Sequence, residues 1–229
     1  MPSAKKRKLV EPPRRKPSRS HLLVIECDAE QLASEQMDLG SKFAQFVHSL
    51  MPQKRVVVVR ANTEAELGRD LAEALQEHGV FRTVLIVGHS NEQGLKMTGD
   101  GLRSWTVVGR WLRDFAPEYL FLTACSAGRS GVVRTLFNEV DTLKEIYGSP
   151  ILLDAYAHTA PIAAILISLL QTGRINAADS QAYRAVGYLL TGSQVYRWRK
   201  DETGPSEELN NALWDAAGEG LRLLRGAIG

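Results

Sequence analysis

Cysteines and long apolar runs are scarce in this chain of 229 residues. Its two cysteines, Cys27 and Cys125, are too few for a disulfide framework, so the expected environment is reducing and cytoplasmic. No apolar run reaches the ~18 residues of a membrane span, and the most apolar stretch, residues 162–170, is typical of a buried helix. The polar N-terminus also lacks the pattern of a secretory signal. Neither a disulfide-rich secreted domain nor a membrane protein is therefore expected.

Charge is distributed unevenly along the chain, although the formal net charge is only +2. Residues 1–20 hold eight of the 28 Lys and Arg and one of the 26 Asp and Glu, which leaves 20 basic and 25 acidic residues in the rest. This acidic remainder, about −5 in net charge, argues against a globular domain that binds nucleic acid broadly.

Residues 1–20 also contain four prolines and almost no apolar side chains, a composition that predicts a disordered tail. Two interpretations of this basic tail stay open. It contacts polyanions or, in a eukaryote, directs the protein to the nucleus, or else it is a solvated tail that only promotes solubility.

Beyond the tail, apolar runs of strand length alternate with segments of helical periodicity. The predicted strands cover residues 21–26, 55–61, 83–87, 119–123 and 150–154, with a small hairpin near residues 95–97. The predicted helices cover residues 29–50, 63–78, 104–115, 130–147 and 161–171. Such alternation predicts an α/β fold in which a mostly parallel central sheet is flanked by helices on both faces.

The pattern weakens beyond residue 172. Residues 177–187 and 210–224 are predicted helices, whereas residues 195–198 suit either a short strand or a segment that faces a partner. We therefore expect three parts: a disordered tail at 1–20, an α/β core at 21–172, and a C-terminal helical extension at 173–229 packed on the same domain. The helices from Asn176 onward are the expected docking surface for a regulatory protein.

Two residues suited to nucleophilic catalysis, His89 and Cys125, each follow a predicted strand by one or two positions. In parallel sheets, ligand sites lie beyond the carboxyl ends of the strands, where side chains from adjacent strands meet. A thiol attacks as its thiolate, and a neighbouring imidazole can take its proton and later return it to a leaving amine. The pair predicts a cysteine peptidase with Cys125 as nucleophile and His89 as base.

Small residues surround both candidates: Gly88 and Ser90 beside the histidine, and Ala124 with residues 126–128 beside Cys125. They let a substrate backbone approach and leave amide N–H groups available for an oxyanion hole. The predicted donors are the backbone N–H groups of Cys125 and of Ser90 or its neighbour.

The order of these motifs resembles that of the caspase-like (clan CD) cysteine peptidases and is most similar to their CHAT branch. The resemblance rests on LIVGHS at residues 85–90, LKMTGDGL at 95–102 and LFLTACSAG at 120–128, and it covers residues 21–172. It implies a caspase-like three-layer sandwich and a Cys/His dyad that needs no third residue. That branch usually has His-Gly, whereas this chain has Ser90 after the histidine, which keeps the backbone donor.

The resemblance also indicates how a substrate is chosen. In such peptidases a residue just after the first strand commonly lines the pocket for the residue before the cleaved bond, and here that neighbourhood offers Glu26 and Asp28. Asp154, after the fifth predicted strand, is a further candidate. An acidic pocket would favour Lys or Arg, although Asp28 suits the N-cap of the following helix equally well.

Bacterial relatives of this kind often act as effectors of antiviral defence or cell death. The resemblance thus implies an intracellular endopeptidase that cleaves a protein substrate and is regulated by a sensor protein. It implies no metal ion, no cofactor and no membrane contact. The alternative is a catalytically inactive adaptor, or interaction module, on the same fold.

Three other residues have weaker claims to a role in catalysis. Ser90 lies in a partial match to the Gly-x-Ser-x-Gly elbow of α/β-hydrolases, but Glu92 occupies the position of the second glycine. Cys27 is followed by no small-residue loop, so packing is its favoured role. His158 precedes Pro161 and is expected in a surface loop.

Overall fold

The computed structural model describes residues 18–150, 155–191 and 195–202. Its strands are β1 (Ser18–Cys27), β2 (Arg55–Ala61), β3 (Phe81–Val87), β4 (Gly94–Met97), β5 (Gly101–Ser104), β6 (Tyr119–Thr123), β7 (Glu145–Gly148) and β8 (Tyr196–Arg199). Its helices are α1 (Ala29–Ser34), α2 (Leu39–Leu50), α3 (Glu64–His78), α4 (Trp105–Arg113), α5 (Ser130–Glu139), α6 (Ala155–Thr172) and α7 (Ala177–Thr191). The expectations for the basic tail up to residue 17, for Asp154 and for a helix at 210–224 lie outside the described residues.

Within the described residues, one central sheet has six strands in the order β2-β1-β3-β6-β7-β8. The first five strands are parallel, and β8 alone runs antiparallel to its neighbour β7. Strands β4 and β5 form a separate antiparallel hairpin between β3 and α4. The predicted mostly parallel sheet is confirmed, as is the hairpin.

The structure differs from the predicted boundary at residue 172. Strand β8 falls in the segment expected to be a helical extension, yet it is the edge strand of the central sheet. Of the two interpretations given to residues 195–198, the strand is confirmed. At the other end, β1 begins at Ser18 rather than at His21, so the sheet also takes in the last residues assigned to the tail.

Apolar side chains fill both faces of the sheet and give the three layers. Along β1 the burial alternates: Leu23 and Ile25 face the core under α3, α4 and α5, while Leu22 and Val24 face the core under α2 and α6. All four are almost completely buried. Each such side chain contributes roughly 1.5–3 kcal/mol when removed from water. Strands buried on both faces explain the continuous apolar runs of the sequence.

The segment predicted as one helix at 29–50 is two helices separated by a turn. Helix α1 ends at Ser34, Gln36 adopts a left-handed backbone with φ of 60°, and α2 begins at Leu39. The amide of Met37 returns to the Leu32 carbonyl at 2.6 Å, which closes the turn. No proline or glycine marks this break, so the helical periodicity concealed it.

The helix predicted at 130–147 is wrong in its C-terminal limit, and the strand predicted at 150–154 lies, from residue 151, outside the described residues. Helix α5 stops at Glu139, and the fifth parallel strand is β7, at Glu145–Gly148. Glu145 made this strand hard to recognise, because a charge is rare in a buried strand. In the fold its carboxylate is neutralised by the Arg197 guanidinium, on the neighbouring strand β8.

Helix α6 begins at Ala155, so His158 lies in a helix rather than in the expected loop. The helix inserts Ile162, Ile165 and Leu166 into the core shared with α2. In the described part of the chain, no helix combines the length and the apolar character needed to cross a bilayer.

Candidate active site

The histidine loop, residues 88–93, leaves the end of β3 and is held by the β4–β5 hairpin. The carbonyl of His89 accepts a hydrogen bond from Lys96 N at 2.8 Å, and Asn91 N donates to the Gly94 carbonyl at 3.0 Å. Gly88 lies so close to Leu95 and to the Cys27 carbonyl that a Cβ atom would approach them to 3.2 and 3.3 Å. These contacts place the imidazole directly beyond the strand end.

The cysteine loop, residues 124–129, leaves the end of β6 and packs against β7. Ser126 has a left-handed backbone with φ of 59°, which turns the chain sharply after Cys125. Gly128 N donates to the Ser149 carbonyl at 2.7 Å, and a Cβ atom on Gly128 would lie only 2.4 Å from the Gly148 oxygen. Only glycine permits this approach.

The two loops meet because β3 and β6 are adjacent parallel strands. Their last residues, Val87 and Thr123, are register partners. His89 and Cys125 line one small crevice of about 30 Å³, and the half-buried Cys125 remains partly accessible. Its other walls are apolar side chains of the α1–α2 region together with the ends of the two strands: Leu32, Met37, Leu39, Val87, Gly88, Thr123 and Ala124. Both candidates thus lie beyond the carboxyl ends of two adjacent parallel strands, the position predicted from the sequence.

Ser90 links the two loops directly. Its hydroxyl donates to the backbone carbonyl of Cys125 at 2.5 Å. Ser90 lies opposite Leu95 in an isolated antiparallel bridge. The hydrogen bonds of this bridge are made by the flanking residues, from Lys96 N to the His89 carbonyl and from Asn91 N to the Gly94 carbonyl. The Ser90 amide therefore stays outside this ladder.

Glu35, which the sequence analysis did not single out, lies next to the imidazole. Its Oε2 is 3.2 Å from His89 Nε2, an ion-pair distance when the ring is protonated. Within the described residues no acceptor is aligned well enough with Nε2 to count as a hydrogen bond, so the contact is electrostatic. No local pattern could have revealed Glu35, because the turn that presents it was hidden within an apparently continuous helix.

Neighbouring polar groups hold the Glu35 carboxylate. The Gln31 amide donates to Oε1 at 2.8 Å, and Lys96 Nζ in turn donates to the Gln31 side-chain oxygen. The Gln31 hydrogen bond, together with the charges of His89 and Lys96, holds the pKa of the Glu35 carboxyl below its usual range despite some desolvation. Glu35 is therefore an anion at neutral pH.

Two of the three acids predicted to line a substrate pocket are fully buried. Glu26 accepts hydrogen bonds from the Ser41 amide at 2.8 Å and the Ser41 hydroxyl at 2.7 Å, and it pairs with Arg60 at 3.0 Å. It thereby anchors the start of α2 to β1. The third acid, Asp154, lies outside the described residues.

Asp28 is the more unusual of the two buried acids. It occupies the N-cap position of α1 in a left-handed conformation with φ of 64°, but its side chain makes no capping hydrogen bond. Neither carboxylate oxygen has a hydrogen-bond partner within the described part of the chain, and its one ion pair is with Lys96, at 3.3 Å. The expected capping role is therefore not seen.

Cys27 has the surroundings of a packing residue. It is completely buried in the core under α3, α4 and α5. Burial, with a smaller effect of the Asp28 charge, raises the pKa of the Cys27 thiol to about 12. This thiol is protonated at neutral pH and is unsuited to attack.

A larger cavity of about 550 Å³ borders the cysteine loop. It is lined by the loop, the start of α5 and the end strand, through residues that include Gly128, Arg129, Val132, Tyr196 and Trp198. The Trp198 indole donates to the Gly128 carbonyl at 3.0 Å, which couples β8 to the cysteine loop. Across the described residues, no three His, Cys, Asp or Glu side chains are grouped as a metal site would need.

Comparison with known proteins identifies the architecture. The chain is similar to a secreted C11 cysteine protease from Bacteroides thetaiotaomicron named iotapain, with a TM-score of 0.61 and 12% identity, covering 80% of this chain and 67% of that one. A secreted C11 cysteine protease from the same organism, in complex with an irreversible peptide inhibitor, is similar with a TM-score of 0.53 and 13% identity. The match covers 73% of this chain and 58% of that one. No known protein family and no curated protein matches the sequence. At these identities the likeness concerns the fold alone, and it confirms the predicted class: this chain has the caspase-like α/β fold of the C11 cysteine proteases.

Proposed function

We propose that the chain is a cysteine endopeptidase in which Cys125 attacks the peptide carbonyl and His89 transfers protons. The observation that carries the proposal is that both side chains line one crevice beyond two adjacent parallel strands. The similar solved structures are described as cysteine proteases, and one holds a peptide inhibitor, which supports a protein substrate for this chain.

The chemistry needs only these two side chains and water. The imidazole takes the thiol proton, and the thiolate sulfur forms a bond to the carbonyl carbon of the substrate. The imidazolium then returns the proton to the amide nitrogen as the C–N bond breaks, which releases the amine and leaves a thioester. In the second half, the imidazole takes a proton from water, the hydroxide adds to the thioester, and the C–S bond breaks to release the carboxylic acid.

The negative charge on the carbonyl oxygen needs donors during both halves. The Ser90 amide, which lies outside the hydrogen-bond ladder of its bridge, is one proposed donor, and the Cys125 amide is the other. Loss of one such donor typically costs about 10²–10³ in kcat.

Selective labelling of the two thiols tests this proposal without knowledge of the substrate. At neutral pH, iodoacetamide should alkylate Cys125 much faster than Cys27, because the latter is buried and its thiol pKa is about 12. Cys125→Ala should abolish cleavage of a fluorescent casein while leaving the unfolding midpoint unchanged. Equal, slow labelling of the two thiols, or cleavage by the alanine variant, would contradict the proposal.

We further propose a preference for Lys or Arg before the cleaved bond, with Asp28 as the residue that selects it. Glu26 is fully engaged by Ser41 and Arg60, whereas among the described residues Asp28 pairs with Lys96 alone, whose side chain is 42% exposed. A substrate cation that displaces Lys96 would find an anion without hydrogen bonds.

A panel of fluorogenic peptides tests the specificity. Peptides that differ only in having Lys, Arg, Gln or Asp before the cleaved bond should show kcat/KM values highest for the two cations. Equal values for Arg and Gln would contradict the role of Asp28 and leave the peptidase assignment intact.

One observation favours the second candidate, an inactive interaction module on this fold. The crevice at His89 and Cys125, about 30 Å³, has room for about one water molecule. An enzyme in this state must open before it binds a peptide. An adaptor would show no Cys125-dependent cleavage with any substrate or sensor partner.

The CHAT-type assignment, a cytoplasmic location and a role as effector in bacterial antiviral defence are proposed on the sequence resemblance. Plaque counts on bacteria that express the chain with its genomic neighbours test this role. The wild type should reduce plaques and Cys125→Ala should not; equal counts would contradict it.

A further inference from the structure

The imidazole of the candidate dyad has an acidic neighbour whose position is defined by the fold. Helix α1 ends at Ser34, and the following turn carries Glu35 to the end of β3. There its Oε2 lies 3.2 Å from His89 Nε2. An imidazole that has an acid at one ring nitrogen presents the other, Nδ1, to its reaction partner.

The carboxylate is also restrained from the side away from the ring. Gln31, one helical turn earlier on α1, donates its amide to Glu35 Oε1, and Lys96 of β4 donates to Gln31. Lys96 is itself paired with the buried Asp28. A chain of contacts thus runs from the end of β1 through Lys96, Gln31 and Glu35 to the histidine.

The charged groups around the ring come from three elements. Glu35 faces Nε2 from the turn after α1, Cys125 shares the crevice from the loop after β6, and Lys96 of β4 acts on Glu35. In general, an acid beside an imidazole favours its protonated form, and an imidazolium favours a neighbouring thiolate. Lys96 donates a hydrogen bond to Gln31, which in turn donates one to Glu35, so the lysine restrains the acid indirectly.

We propose that Glu35 is a positioning residue for His89, so that the chain uses an acid–imidazole–thiol triad in place of a simple dyad. The assignment rests on the proposed peptidase function. Glu35 does not touch the substrate. It orients the ring and stabilises the imidazolium–thiolate pair from which the nucleophile attacks.

The pH dependence of Cys125 alkylation tests the role. Rate constants for iodoacetamide are measured at pH 6 and pH 9.5 in the wild type, Glu35→Gln and Glu35→Asp. Glu35→Gln should lower the pH 6 rate about tenfold, as expected for loss of one opposite charge near the ring, and leave the pH 9.5 rate within about twofold. Glu35→Asp should recover part of the loss at pH 6.

Glu30→Gln is the matched control, because Glu30 is an exposed acid on the same short helix. It should behave as the wild type at both pH values, and Cys27 should stay unlabelled in all variants as a sign that the core is intact. A wild-type Cys125 that reacts no faster at pH 6 than a free thiol would overturn the peptidase proposal and the triad with it. A fast wild type with an equally fast Glu35→Gln, or equal losses at both pH values, would overturn the triad alone.

Discussion

Two thiols near the carboxyl ends of strands of the central sheet have opposite chemical surroundings. Cys27 points into the core, where burial raises its pKa to about 12. Cys125 lies half-buried in a loop whose left-handed residue, Ser126, turns the chain away immediately after it. Position after a strand is thus insufficient to define a nucleophile; the loop that follows decides whether the sulfur faces the core or a crevice.

At the same scale, we predict that Ser90→Ala slows the reaction of Cys125. The Ser90 hydroxyl donates to the Cys125 carbonyl at 2.5 Å and so fixes the distance between the two loops. Its loss removes about 1 kcal/mol of net hydrogen-bond energy. We expect the alkylation rate of Cys125 to fall several-fold, measured at a fixed neutral pH.

Ser49→Ala is the control for this change, because Ser49 also donates its hydroxyl to a backbone carbonyl, in the exposed part of α2. It should leave the Cys125 rate unchanged. A Ser90→Ala protein that reacts as fast as the Ser49→Ala protein would show that the hydroxyl does not position the loop.

The sequence predicted the residues proposed for catalysis but not their electrostatic surroundings. His89 and Cys125 stood out because each follows an apolar run and is flanked by small residues. Glu35 did not, since its contact with His89 joins segments far apart in sequence. The sequence also did not reveal that Glu26 pairs with Ser41 and Arg60, contacts that give this carboxylate a role in holding the fold together.

At the scale of elements, the sequence predicted a helix or strand correctly where contacts between neighbouring residues determine its limits. Helix α3, predicted from residue 63, begins with a capping box, in which the Thr63 hydroxyl accepts from Glu66 N and the Glu66 carboxylate accepts from the Thr63 amide. Strand β7 was missed because its stability is non-local: the charge of Glu145 is balanced by Arg197 of β8. The α1–α2 turn was missed because its left-handed residue is Gln36 rather than glycine.

We predict that Gly128→Ala destabilises the contact between the cysteine loop and β7. Its Cβ atom would meet the Gly148 oxygen at 2.4 Å, and both groups are backbone, so neither can rotate away. We expect a loss of about 1–3 kcal/mol in the free energy of unfolding, measured with urea.

Gly131→Ala, three residues later, provides the contrast. A Cβ atom there would meet nothing within 4 Å, and the site lies in the first turn of α5. We expect unchanged stability or a gain of up to about 1 kcal/mol. Similar stabilities for the two variants would mean that the loop shifts freely against β7.

At the scale of the whole molecule, the two rims of the sheet have different roles. The rim at the carboxyl ends of β3 and β6 carries the candidate active site. The opposite rim carries an ionic cluster, in which Glu118 pairs with Arg82 at 2.7 Å and with Lys144 at 3.2 Å. Partial burial disfavours the charge on Glu118, but the two cations outweigh that effect and hold its pKa below the usual value of 4.5.

This cluster predicts how stability depends on pH. Because the folded state lowers the pKa of Glu118, the carboxylate stabilises the fold above the unfolded pKa, and that contribution is lost as the pH falls through the folded pKa. Urea midpoints of the wild type should therefore fall between about pH 5 and about pH 3. Glu118→Gln should be less stable at pH 7 and lose less on acidification.

Glu73→Gln, a change at an exposed residue of α3, is the control and should follow the wild-type curve. If Glu118→Gln lost as much stability on acidification as the wild type, the cluster would not be a source of acid sensitivity.

Strand β8 sets the minimum length of a chain that keeps the central sheet intact. It pairs with β7, neutralises Glu145 through Arg197, and reaches the Gly128 carbonyl with the Trp198 indole. A chain that stopped at residue 172 would leave the charge of Glu145 without Arg197, expose the unpaired edge of β7 and remove the hydrogen bond of Trp198 to the cysteine loop. A fragment designed to keep the candidate active site must therefore extend beyond Arg199.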